Sequence, residues 1–276
     1  MITSINDCTT LNNGVKMPWF GLGVYKSQPG EEVETAVRLA IEHGYRSVDT
    51  AKLYNNEEGV GKAIRDSGIR REDIFVTTKV WNTDQGFDNT LKAFEASRKR
   101  LGMDYVDLYL IHWPGTRLYK ETWKALEKLY KDGYVRAIGV SNFNIHHIET
   151  LLADCEFVPM VNQVEYHPRL TQTELLAYCK SHNIQFEAWS PLMRGQLLQD
   201  ETIRRIADAH GKTPAQVILR WDLEHGVVTI PKSVRKERIQ ENADIFDFTL
   251  SSEEVAAIDA LNRNERVGPD PDTFDF

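Results

Sequence analysis

The feature that most constrains this chain is an eightfold alternation. Short apolar runs, several of them rich in Val, Ile and Leu, recur at 19–21, 46–49, 74–79, 106–112, 137–141, 160–165, 185–190 and 227–231. Between them lie longer stretches, at 31–43, 88–101, 120–131, 173–182 and 214–224, whose apolar residues return at roughly 3.6-residue spacing. An uninterrupted apolar run fits a strand buried on both faces. Strands alternating with helices build a parallel sheet. Eight repeats favour closure into a (β/α)8 TIM barrel. Gly44, Gly102, Gly133 and Gly211 fall where helices should stop. Ser251-Ser252-Glu253-Glu254 reads as the cap of a last helix. Ahead of the first strand, Asn12-Asn13-Gly14 predicts an N-terminal β-hairpin with a two-residue turn.

The competing architecture is an open nucleotide-binding sheet, which wants a G-x-G-x-x-G turn after its first strand. Gly21-Leu22-Gly23 and Gly59-Val60-Gly61-Lys62 both lack the third glycine, and neither continues into a phosphate loop. Each reads as a pair of turn glycines. The 276 residues fit one barrel domain over 1–276, with no low-complexity linker. Cys8, Cys155 and Cys179 form an odd set without C-x-x-C spacing, which predicts three reduced thiols. A net charge of −8 argues against general nucleic-acid binding. The first residues lack a basic and apolar leader pattern, and no run approaches the roughly 20 apolar residues of a membrane helix. A cytoplasmic protein that neither binds nor crosses a membrane is expected.

The polar groups at the strand ends carry the functional argument. The strands finish in Asp49, Lys79, His112, Ser141-Asn142, Gln163 with Glu165, Ser190 and Lys232. In a barrel these ends converge on the face that carries the active site. Asp49, Lys79 and His112 come from successive strands, and Tyr54 follows on the loop after Asp49. A phenol has a pKa near 10, and a neighbouring ammonium favours the phenolate. Tyr54 beside Lys79 would serve as a general acid, with Asp49 holding Lys79 and His112 orienting a substrate oxygen. Each residue has a plainer reading: a capping Asp49, a packed Tyr54, a solvated Lys79, a core His112. Lys79 as a Schiff-base nucleophile of a barrel lyase is a further alternative. No H-E-x-x-H or carboxylate-rich pattern points to a metal.

The stretches Gly44-Tyr45-Arg46-Ser47-Val48-Asp49-Thr50-Ala51-Lys52-Leu53-Tyr54, Leu108-Tyr109-Leu110-Ile111-His112-Trp113-Pro114, Ile138-Gly139-Val140-Ser141-Asn142-Phe143 and Ile230-Pro231-Lys232-Ser233 together resemble the aldo-keto reductases. Short bacterial members of the glyoxal/methylglyoxal reductase and 2,5-diketogluconate reductase type are the most similar. The resemblance spans almost the whole chain. It implies NADPH-dependent reduction of small carbonyl compounds, with Asp49, Tyr54, Lys79 and His112 as the catalytic four. It implies that Ser141, Asn142 and Gln163 hold the nicotinamide carboxamide and that Trp189 stacks on the ring, where relatives often carry Tyr. Ser190 and Leu192 would line the pyrophosphate, and Gly23 and Val24 would border the nicotinamide side.

The segment Lys232-Ser233-Val234-Arg235-Lys236-Glu237-Arg238 is strongly basic in an acidic protein. Cations at a helix start oppose the helix dipole, and a bound anion would offset that. The resemblance assigns Lys232, Ser233 and Arg238 to the 2′-phosphate of NADPH, and Glu241 and Asn242 to the adenine. It places Trp19, Trp81 and Trp113, with His112, as walls of the substrate slot. The connection over 113–119 and the tail over 267–276 are short, so an open and permissive pocket is expected. A monomer is expected. The family also contains channel-associated redox sensors and structural lens proteins, which leaves a non-catalytic role as an alternative.

Overall fold

The computed structural model describes residues 2–115 and 118–274. In chain order the elements are β1 (Cys8–Thr10), β2 (Lys16–Pro18), β3 (Leu22–Gly23), α1 (Glu31–Glu42), β4 (Ser47–Asp49), α2 (Glu57–Asp66), β5 (Phe75–Val80), α3 (Phe87–Leu101), β6 (Val106–Ile111) and α4 (Tyr119–Lys131). Then follow β7 (Val135–Ser141), α5 (Ile145–Leu152), β8 (Val161–Glu165), α6 (Thr173–Ser181), β9 (Gln185–Trp189), α7 (Glu201–His210), α8 (Pro214–Glu224), β10 (Val228–Thr229), α9 (Lys236–Ala243) and α10 (Ser252–Asp259). Strands β3 to β10 pair in sequence order, all parallel. Parallel bridges Phe20↔Thr229 and Gly23↔Lys232 join the first barrel strand to the last and close the ring. The fold is the expected (β/α)8 barrel.

The central strands β5, β6 and β8 are buried at every position, as their unbroken apolar character demands. The first strand carries its pairing over 20–23, slightly beyond the expected 19–21. The β1–β2 hairpin differs from expectation. Leu11 N donates to Val15 O at 2.9 Å and Gly14 adopts φ 87°, so the turn has three residues, Asn12-Asn13-Gly14, with glycine in the left-handed position. The hairpin seals the N-terminal end of the barrel. Asn12 Nδ2 donates to Pro159 O and Asn183 O, Asn13 Nδ2 to Arg136 O, and Thr9 Oγ1 to Gln185 Oε1.

The helices read from periodicity are all present within a residue or two, and Ser251 caps α10 through Glu254 N as the sequence predicts. Helices α2, α5 and α9 complete the ring of eight, and α7 and α10 pack against α8 and each other. Gly59 and Gly61, read as turn glycines, lie inside α2. A Cβ on Gly61 would stand 1.9 Å from Leu101 O, and one on Gly59 would stand 2.5 Å from Val33 Cγ1. These glycines let α2 approach its neighbours. Gly23 is likewise not a turn residue but ends β3, and Gly21 links the Phe20 bridge to that strand. A Cβ on Gly23 would meet Ile230 O at 2.7 Å, where the barrel closes. The three cysteines are free, and among the described residues no helix is long and apolar enough to cross a membrane.

Candidate active site

Asp49 ends β4, Lys79 is the penultimate residue of β5, and His112 follows β6 directly. Their side chains meet Tyr54 at the C-terminal end of the barrel. Lys79 is wholly buried, and its Nζ donates to Asp49 Oδ1 at 2.6 Å and to Thr50 O at 3.0 Å. Tyr54 Oη lies 3.5 Å from the same Nζ. The His112 ring packs edge-on to Tyr54, with centroids 5.7 Å apart, and to Trp81, with centroids 5.1 Å apart. A short turn over Lys52–Tyr54 delivers the tyrosine, and Asn55 closes that turn at φ 56°. Asn56 fixes the loop from below: its Nδ2 donates to Val24 O and Ser27 O, and its Oδ1 accepts from Thr50 Oγ1.

The electrostatics sharpen the picture. Burial would push the Lys79 ammonium down, but Asp49, with smaller help from Tyr54 and Glu187, outweighs it and holds the lysine charged. Burial pushes the Tyr54 phenol up to about 12 against the opposing pull of Lys79. The lysine therefore lowers the phenol relative to what burial alone would impose, rather than below its ordinary value. Burial, then Lys79, hold the His112 imidazole well below its usual range, so the ring is neutral. Its Nδ1 is buried with no hydrogen-bond partner among the described residues.

Ser141, Asn142 and Gln163 come together on the next two strand ends. Ser141 Oγ donates to Gln163 O at 2.7 Å. Asn142, at φ 64°, spends both amide hydrogens on His112 O and Ser141 Oγ. Its Oδ1 accepts from Trp189 Nε1 at 2.8 Å, which fixes one edge of the indole. Gln163 Nε2 donates inward to Asp49 Oδ2 and Glu187 Oε2. The amide acceptor Oε1 of Gln163 is left for another partner. Beyond Trp189 the backbone is strained: Ser190, Met193 and Arg194 have φ of 55°, 46° and 54°. Non-glycine residues in this region cluster at ligand clamps and active sites. Leu192 opens the turn that carries the last two.

The basic segment starts α9. Lys232 and Arg238 are exposed, and among the described residues neither forms an ion pair, nor does Arg235 or Lys236. Ser233 is buried and holds Arg235 N. Glu241 is already tied to Thr213 Oγ1, and Asn242 is buried one residue further. Gly23 and Val24 border the rim next to Asp49, with Val24 N donating to Asp49 O.

One substrate-wall expectation is corrected. Trp19 lies at the opposite end of the barrel. It lines a groove of about 440 Å³ with Thr10, Leu11, Gln185 and Gly226, beneath the hairpin. It precedes Gly23 by four residues on one strand, about 13 Å of chain. The aromatic that does reach the site is Tyr25, two residues past the strand end, whose ring packs on Tyr54 with centroids 5.0 Å apart. Strand direction is the signal that identifies it. The tail, although short, is tied to the rim. Val267 N and Gly268 N both donate to the buried Glu165 carboxylate, and a Cβ on Gly268 would stand 2.4 Å from Trp189 Cη2. Asp272 accepts from Asn144 Nδ2, and the Phe274 ring packs on Trp113 with centroids 4.5 Å apart. Thr116, Arg117, Asp275 and Phe276, part of the two segments expected to leave the pocket open, lie outside the described residues.

His146, His147 and Asp272 bring possible metal-ligand atoms within 4.8 Å of one another at the start of α5. Asn144 N donates to His147 Nδ1 at 3.1 Å, which places the ring proton on Nε2, the atom facing Asp272. The cluster latches the tail.

A sequence model of the Aldo/keto reductase family matches residues 19–263. Glyoxal reductase of Bacillus subtilis (strain 168) is 64% identical over 276 residues, with 100% of both chains covered. Methylglyoxal reductase DkgA of Escherichia coli (strain K12) is 47% identical over 268 residues, with 96% of each chain covered. The crystal structure of an aspartate-to-alanine variant of Gox0644 in complex with NADPH superposes with a TM-score of 0.93 at 46% identity, covering 98% of each chain. The barrel, the strand-end side chains and these likenesses lead to one conclusion: the chain belongs to the aldo/keto reductase family.

Proposed function

We propose that this chain reduces small aldehydes and ketones of the glyoxal and methylglyoxal type to alcohols, using NADPH, with Tyr54 as the proton donor. The observation that carries the reading is the buried contact of Lys79 with Asp49 and Tyr54 beside a neutral His112. Bound NADPH would supply the hydride to the carbonyl carbon. Tyr54 keeps its proton at neutral pH and gives it to the carbonyl oxygen. Lys79 lies beside the phenol oxygen and stabilises the charge that grows there. Asp49 keeps Lys79 protonated and in place. His112 orients the substrate oxygen. Its neutrality makes it a poor competitor as the acid.

The residues left for the cofactor fit it. Gln163 Oε1, Ser141 Oγ and the second lone pair of Asn142 Oδ1 offer acceptors to a carboxamide. Trp189 offers a flat ring face. Ser190 and Leu192 sit in the strained turn suited to a pyrophosphate, and Gly23 and Val24 border the nicotinamide side. Lys232, Ser233 and Arg238 suit a 2′-phosphate, with Glu241 and Asn242 near the adenine. Tyr25, Trp81, His112 and Trp113 form the substrate walls. The relatives named glyoxal reductase and methylglyoxal reductase, and the NADPH complex, support this assignment. A Schiff-base lyase fits less well, because that chemistry needs a lysine with a lowered pKa, and Asp49 acts in the opposite sense. We place the activity in a single domain over 1–276, acting as a cytoplasmic monomer.

The test is NADPH oxidation against glyoxal, methylglyoxal, a nitrobenzaldehyde and a steroid ketone, in the wild type and Tyr54→Phe. Small aldehydes should lead. Removing the phenol oxygen should lower aldehyde reduction by about 100- to 10,000-fold, the typical range for a general acid. NADPH affinity should persist, since none of the proposed cofactor contacts is touched. Near-normal turnover in Tyr54→Phe, with chemistry shown to limit the rate, would sink the assignment.

A further inference from the structure

A second carboxylate lies behind the Lys79–Asp49 pair, and the mechanism above does not use it. Glu187, in the middle of β9, is almost wholly buried. Its Oε2 accepts from Gln163 Nε2 at 3.0 Å, and the same amide nitrogen donates to Asp49 Oδ2 at 2.8 Å. Asp49 Oδ1 takes Lys79 Nζ, which lies next to Tyr54. Side chains from four strands and one loop thus form a continuous relay: Glu187, Gln163, Asp49, Lys79, Tyr54. With both acids ionised, the relay sets two carboxylates against one ammonium in a dry interior. Like charges so placed do not both ionise readily, and one of them keeps a proton.

Asp49 has the ammonium in direct contact and Glu187 has only a neutral amide, so the excess proton belongs on Glu187. We infer that Glu187 is a positioning residue for the reduction: its neutral form keeps the relay charge-balanced, and its ionisation weakens Tyr54 as an acid by way of Lys79. This rests on the reading of Tyr54 as the proton donor. The charged groups facing Glu187 are Asp49 from β4 and Lys79 from β5. From β8 it meets the neutral Gln163, and on β10 its paired neighbour is Val228. Burial, reinforced by Asp49, pushes the Glu187 carboxyl up to about 8. Below that pH the relay is balanced. Above it, an extra negative charge binds the lysine more tightly and opposes negative charge growing on the phenol oxygen. Reduction should therefore decline as pH rises through this region.

Three proteins decide the matter: the wild type, Glu187→Gln and Glu187→Asp. The glutamine variant keeps an acceptor for Gln163 and removes the titration. The first measurement is the pH profile of kcat/KM for aldehyde reduction. Wild type and Glu187→Asp should show the alkaline decline. In Glu187→Gln it should move up by about one pH unit or more, the scale of a single buried charge. The second measurement is the infrared carbonyl band of a protonated carboxyl, which needs neither cofactor nor turnover. Burial also holds the Asp222 carboxyl well above its usual range, so it contributes a band of its own, and the diagnostic signal is the component that fades in wild type as pH rises through the same region and is missing from Glu187→Gln. Superimposable pH profiles in wild type and Glu187→Gln, or a wild-type band with no component that fades over this region and is lost in Glu187→Gln, would overturn the proposal. If Glu187→Gln fails to fold, the wild-type band and the Glu187→Asp profile still decide it. Full activity in Tyr54→Phe would instead refute the acid assignment and leave the infrared result to stand on its own.

Discussion

Arg238 illustrates what a single residue can reveal at the cofactor end of the site. It sits on the first turn of α9 among Arg235 and Lys236, where the helix dipole disfavours cations, and although Glu237 shares the turn, Arg238 forms no ion pair among the described residues. A phosphate on this turn would explain the arrangement. Arg238→Ala should therefore raise the KM for NADPH by roughly ten- to a hundredfold, as expected for loss of a charge-assisted contact. The KM for NADH, which lacks that phosphate, should change little. Parallel initial-rate series with the two cofactors measure the difference, and equal losses would remove the assignment. Residues of this kind were legible in the sequence because their chemical type is unusual for their place: a lysine or aspartate ending an apolar strand, a basic run in an acidic chain. Tyr25 and Trp19 were harder. Both are aromatics near one strand, and only the direction of that strand tells which end each occupies. The net rise of the Tyr54 phenol was hidden for a different reason. It depends on burial, which no local spacing reports.

At the scale of elements, apolar periodicity located the helices whose buried stripe is broad, and the strands whose burial is complete. Helix α2 escaped because Gly59 and Gly61 each lower helix propensity by about 1 kcal/mol relative to alanine. Their reason is tertiary: close approach to Val33 and to the Leu101 carbonyl. This contrast yields a stability prediction. By propensity alone, Gly61→Ala should gain about 1 kcal/mol. The added methyl, however, would stand 1.9 Å from a backbone oxygen that cannot rotate away. Overpacking typically costs about 1–3 kcal/mol, and a contact this short belongs at the upper end or above it. The clash should win, and thermal unfolding should show a lowered Tm. Gly59→Ala meets a side-chain methyl of Val33, which can shift, so its loss should be smaller. A Gly61→Ala protein as stable as wild type would mean that α2 does not rest on α3 as described. The tail is the other element-scale lesson. It is short, yet Glu165, Asn144 and Trp113 anchor it along the rim. None of those partners is close to it in sequence.

At the scale of the whole molecule, the barrel separates chemistry from stability by its two ends. Tyr54, Lys79, His112 and the proposed cofactor contacts occupy the C-terminal rim. The hairpin and a buried ionic cluster occupy the other. Asp107, one residue into β6, is fully buried; its Oδ2 accepts from Val76 N at 2.9 Å and meets Arg71 at 2.7 Å, while its Oδ1 meets Arg136 at 2.7 Å. Asp107→Ala would strand a buried backbone N–H and leave two arginines facing each other without their anion. Removing one member of a buried ion pair costs about 3–5 kcal/mol. Both arginines are partly exposed and can turn to solvent, so the lower end of that range applies. For a chain of this size about 3 kcal/mol corresponds to a fall in Tm of roughly 6–12 °C. The kcat of the protein that remains folded should be unchanged, because Asp107 touches nothing at the rim. Tyr54→Phe should do the reverse, sparing Tm and removing turnover. Measuring melting temperature and kcat on both variants gives a two-by-two comparison. A large loss of kcat in folded Asp107→Ala would show that strain at the lower end reaches the rim through β6, which runs from Asp107 directly to His112, and the division of the barrel into independent ends would fail.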